Sequence, residues 1–158
     1  MLWLAFVVHF IHVFLAIFWF GATLAMYAIV APALRASSQT AAGEVGKRLG
    51  PIIVRVLAPV GGLTILFGIV SATVFGPVKT LAFLWSSWYG RTVAIAFVLS
   101  VVVAAIGART GRLGVSLAAA TEQERPEILR RLEGSQVASL WGFAAILVCM
   151  LLMRWGIP

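Results

Sequence analysis

The residues of this chain best suited to chemistry are its two histidines, its one cysteine and its four methionines. Imidazole nitrogen, thiolate and thioether are the donors that suit haem iron or copper. His9 and His12 stand at i and i+3, so a helix carries them on one face. They belong to a longer series: Ala5, His9, His12, Ala16, Trp19, Thr23, Met26 and Val30, at alternating steps of four and three. That spacing draws one stripe down a helix. An imidazole turned to lipid has no partner there, so the stripe is expected to face protein. A second stripe near the carboxyl end holds Ser135, Ser139, Gly142, Ile146, Cys149 and Met153 at the same steps. His12, His9, Cys149 and Met153 are therefore the candidate metal ligands. The two histidines could clamp one small ion, but they cannot grip one haem from opposite sides, because they leave the same face of the same helix. The structural alternative is that they only hydrogen-bond neighbouring helices. Trp19 is a packing residue or a wall for a flat cofactor.

The chain that must position these groups is a membrane protein. Of its 158 residues, 62% are hydrophobic and 11% charged. Its mean hydropathy is +1.06. A soluble domain cannot hide that much apolar surface. The net charge of +7 falls next to apolar runs, where it points to topology and anionic lipid rather than nucleic acid. The lone Cys149 excludes an internal disulfide. No phosphate-binding glycine loop, catalytic triad pattern or paired carboxylates occur, and all five acids lie between the apolar runs. The apolar run at the amino end is too long for a signal-peptide core, so it reads as a span.

Four spans are expected, at residues 2–31, 51–76, 91–107 and 137–153, in one all-α domain: a transmembrane four-helix bundle. Pro32 should end the first span, and Pro51 should open the second as a favoured first helical residue. Pro59 with Gly61 and Gly62 predicts a kink. Gly68, Ala72 and Gly76 make a small-residue ridge for close helix approach. Residues 35–50 and 108–136 read as polar loops, with a surface helix over 41–49 and a helical turn or two over 126–133. In that segment Glu127 can reach Arg130 or Arg131. Those two loops and their borders hold Arg35, Lys47, Arg48, Arg55, Arg109, Arg112, Arg125, Arg130 and Arg131. The other side holds Lys79, Arg91 and Arg154. The bias places both loops in the cytoplasm and both termini on the outer side. His9, His12, Cys149 and Met153 then share a depth in the outer leaflet.

The first span also resembles a known family. The run from His12 through Trp19 to Gly21, followed by Pro32 and Arg35, is similar to the first helix of the copper-resistance protein D superfamily. The segment 49–68, with Pro59 and Gly68, is similar to its second helix. The group includes small bacterial membrane proteins and a membrane protoporphyrinogen oxidase in which the corresponding histidine is linked to b-type haem. The resemblance implies His12 as the haem-linked residue, with Trp19 and Gly21 as its companions. The oxidase also relies on an intramembrane lysine in a later helix; here the third span has only Arg91, at its outer edge. The expectation is thus a protein of the bacterial cytoplasmic membrane, surrounded by lipid, alone, as a homo-oligomer or in a larger complex. It would bind haem b, or copper, in the outer half of the bundle, for electron transfer or cofactor handling. The alternative is a non-catalytic accessory or structural subunit of a larger membrane complex.

Overall fold

In the computed structural model, which describes residues 1–117 and 119–156, all regular structure among those residues is helical. Helix α1 (Leu2–Ala25) passes through a π-helical turn (Met26–Val30) into α2 (Ala31–Ala36). Pro32 does not end this span, as the sequence suggested. Proline has no N–H for the carbonyl four residues back, and the wider π turn immediately before it absorbs the mismatch. Ala31 donates instead to the Met26 carbonyl, five residues back.

Only Ser37 and Ser38 separate α2 from α3 (Gln39–Thr73). The expected loop over 35–50 and a start at Pro51 are both corrected. The hydroxyl of Ser38 caps the new start by accepting from Ala41 N–H at 3.4 Å, and the helix runs unbroken through Pro51 and Pro59. It ends at Thr73, three residues before Gly76. Lys79 closes that end by donating to the carbonyls of Thr73 at 2.7 Å and Val74 at 2.8 Å, which no later turn would satisfy. The short α4 (Leu81–Ser86), capped by Thr80, lies against the start of α5 (Trp88–Leu117). The last helix, α6, covers Arg125–Trp155.

The expected third loop, 108–136, is therefore mostly helix. Its first part completes α5, and its last part opens α6. Glu127 bridges both Arg130 at 3.0 Å and Arg131 at 2.7 Å there. Helices of 30 to 35 residues are about 45–53 Å long and exceed a hydrocarbon core of about 30 Å. The charged segments that read as loops are helix ends that run past the apolar zone.

Four helices, Leu2–Ala36, Thr40–Thr73, Trp88–Leu117 and Arg125–Trp155, are long and apolar enough to cross a membrane. They pack in a ring, α1 on α3, α3 on α5, α5 on α6 and α6 on α1. This is the all-α four-helix bundle that the apolar runs required. Its core is Trp19, Val103, Phe143 and Ile146, with Leu57, Val60, Leu99, Ala104 and Met150 packed around it. Trp19 meets Phe143 edge-on, centroids 5.0 Å apart at 90°. Outward faces are apolar and exposed, including Phe6, Phe10, Phe14 and Ile17 on α1. That is the surface a lipid solvent favours. Several hydroxyls along the spans bond to their own helix: Thr23 to the Trp19 carbonyl, Thr92 to Trp88 and Ser100 to Ala96. With no water at that depth, the carbonyl one turn back is the acceptor within reach.

Candidate functional site

The stripe on α1 faces the bundle as the spacing required, with one exception. Ala5, His12, Ala16, Thr23, Met26 and Val30 are half-buried and Trp19 is buried, whereas His9 is exposed. Val8, buried, takes the inward position beside it. The true inward line runs between the two faces, and His9 falls on its lipid-side edge. The two imidazoles remain neighbours, centroids 6.4 Å apart.

His12 reaches across to α3, where its Nδ1 lies 2.9 Å from the carbonyl oxygen of Thr64. A carbonyl only accepts, so Nδ1 carries the proton and Nε2 is left with its lone pair. Thr64 is buried, and its own hydroxyl turns back to the Val60 carbonyl at 2.8 Å. Gly68, one turn on, makes the approach possible: a Cβ there would stand 2.9 Å from Cε1 of His12. Two turns along α1, Gly61 does the same for Trp19, with a Cβ position 3.0 Å from the indole Cζ2. The expected ridge is thus half right. Gly68 and buried Ala72 face protein, while Gly76 sits in the turn beyond α3. Thr64 was missed by the sequence reading; its place one turn before Gly68, opposite a histidine, is the signal for it.

Gly21 does not join this group. It lies half a helical circumference from His12, is exposed, and a Cβ on it would meet nothing within 4 Å. Cys149 is buried and Met153 half-buried on α6. Because Trp19 contacts Phe143 and α1 and α6 run antiparallel, seven residues up each helix puts His12 at the level of Met150. Cys149 and Met153 share the level of the histidines by the same count. Among the described residues, no group of three or more His, Cys, Asp or Glu side chains could hold a metal ion.

On the other side of Trp19 the helices part around a cavity of about 610 Å³. Neither histidine lines it. Its walls include Ile53, Leu57, Val103 and the backbones of Gly107 and Gly114, and its rim carries Arg35, Arg112 and Glu133. Gln136 and Ser139 line it from α6. None of these was singled out by the sequence reading as a cavity residue. Pairs of glycines one turn apart, Gly46 with Gly50 and Gly107 with Gly111, were the available signal.

The chain matches no family model, no curated protein and no solved structure.

Proposed function

We propose that this chain is a haem-binding protein of the bacterial cytoplasmic membrane, serving electron transfer or cofactor handling, with His12 as the axial ligand. One observation carries the reading: the His12 Nδ1 proton is fixed on the Thr64 carbonyl at 2.9 Å. A histidine ligates a metal as neutral imidazole, and its other ring nitrogen is normally held by such an acceptor. The bond selects the tautomer and holds the ring, leaving Nε2 as the donor atom.

The donor set fits haem better than a bare ion. A haem brings four equatorial nitrogens of its own and asks the protein for one imidazole. A copper ion asks for more, and the chain offers His9 beside His12, with Cys149 and Met153 on a different helix. Copper held by His9 and His12, completed by those two or by a second copy, is the alternative cofactor reading. Bound haem would supply a one-electron couple. The chain's own part is to fix the imidazole and, with Trp19 and its packing partners, to exclude water from the bundle beneath it. The resemblance of the first two helices to the copper-resistance protein D superfamily supports the same residue.

The His12–Thr64 bond also serves the second reading, an accessory subunit whose histidine only ties α1 to α3. The optical spectrum and metal content of protein purified in mild detergent separate the two. A haem protein shows a Soret band, and His12→Ala abolishes it while the protein still inserts. His9→Ala only shifts it. Loss of cofactor in His9→Ala with full retention in His12→Ala would assign the site to the other histidine. A colourless, metal-free wild type selects the accessory subunit.

A further inference from the structure

The cavity beyond Trp19 is separate from the histidine site, and its chemistry is different. Packed interiors hold few voids larger than a water molecule, and 610 Å³ falls within the roughly 300–1,000 Å³ of small-molecule sites. Gly61 and Gly111 on its wall serve close helix contact, with Cβ positions 3.0 Å from Trp19 and 2.9 Å from Val54, but two other lining glycines do not. A Cβ on Gly107 or Gly114 would meet nothing within 4 Å, so those positions give up helix propensity and gain only width.

One polar group inside is unsatisfied. Gln136 is 5% exposed, lines the cavity, and its Oε1 has no hydrogen-bond partner. A buried amide without a partner is costly, so a ligand group that completes it is strongly selected. Its Oε1 is shielded as it stands, but a turn about the soft terminal torsion brings the amide to the cavity wall, where a hydroxyl completes it in either orientation because it both donates and accepts. By helical rise Gln136 sits about 10 Å from the level of Trp19, with apolar wall between. At the rim Glu133 is paired with Arg35. Arg112 has no acidic partner among the described residues, so a cationic head group is disfavoured.

We propose that this cavity binds a neutral or anionic, hydroxyl-bearing lipid-like molecule, its apolar body toward Trp19 and its hydroxyl on the Gln136 amide.

The test compares 1-decanol with decane as probes of full-length protein in mild detergent. Decanol should raise the thermal midpoint of the wild type more than decane does. Gln136→Leu should erase the difference between the two probes, and Gly107→Leu, which fills the cavity, should erase both shifts. Equal shifts from the two probes in wild type would show that no hydroxyl is recognised and overturn the proposal. So would a decanol shift that survives unchanged in Gly107→Leu. Should either variant fail to fold, a diazirine-bearing long-chain alcohol is crosslinked to wild type. Adducts on the peptides of Leu57 and Val103 support the site, and adducts confined to the lipid-facing side of α1 overturn it.

Discussion

Gly68 and His12 fit together with no spare room: a Cβ on Gly68 would lie 2.9 Å from Cε1 and 3.2 Å from Nδ1 of the imidazole. The small residue on α3 is matched to the one aromatic heterocycle that reaches a backbone carbonyl there. Gly68→Ala should push the ring off the Thr64 carbonyl. Overpacking of this kind costs about 1–3 kcal/mol, so a lower detergent melting point is expected and, on the proposed haem reading, a weaker Soret band. Gly21→Ala, in open space, should change neither. Equal behaviour of the two variants would mean that the His12–Thr64 contact holds nothing in place.

The four spans, their order and the inward stripe were legible because lipid imposes simple rules on composition and period. The helix ends were not. A charged stretch such as Lys47–Arg48 or Arg130–Arg131 reads as loop when helix is equated with hydrophobicity, yet a helix that outruns the bilayer is polar at its end. Pro51 misled for a related reason: proline marks a first turn, but it is tolerated inside a span. His9 was misplaced because a stripe drawn at steps of four and three is wider than the line of contact, and Val8 competes for the same position. The glycine pairs at 46/50 and 107/111 hinted at the cavity, but its place depends on how the helices pack, which no one helix's sequence specifies.

At the loop end, α2 and α6 are joined by the Arg35–Glu133 ion pair, both side chains being exposed. Arg125 adds a bond to the Leu34 carbonyl at 3.0 Å. An exposed pair is worth at most about 1 kcal/mol. Glu133→Gln should therefore lower stability by less than that, and the loss should shrink in high salt as the wild-type pair is screened. Thermal melts at two salt concentrations measure this. A large, salt-independent loss would mean that Glu133 holds something other than Arg35.

The turn before α6 should respond to acid. The Glu124 carboxylate accepts from the backbone N–H of Thr121 at 3.0 Å and from its hydroxyl at 2.8 Å. These bonds, the backbone one first, hold Glu124 below the usual carboxylate range. A lowered folded-state pKa stabilises the fold fully above the ordinary value, and the contribution is lost as pH falls through the lowered one. Hydrogen exchange at the Thr121 amide, corrected for intrinsic pH dependence, should lose protection below the ordinary glutamate range. Glu124→Gln should remove that dependence. A pH-independent protection factor in wild type would show that the carboxylate does not hold the turn.

The antiparallel ring puts the start of α1, the end of α6 and α4 at one end of the bundle, and the turns at 37–38 and 119–124 at the other. Nine of the twelve basic residues sit toward the turn end, now on projecting helix ends rather than in loops. The bias operates on residues flanking a span, whatever their secondary structure, so the same orientation is expected. The turn end is expected in the cytoplasm. Cysteine replaces Ala119 or Ser86, both exposed, in a Cys149→Ala background. An impermeant thiol reagent applied to intact cells should label the cysteine at position 86 and spare the one at 119, and permeabilisation should expose both. Labelling at 119 alone before permeabilisation would invert the molecule. It would also move the histidines to the cytoplasmic leaflet and turn the Gln136 cavity outward.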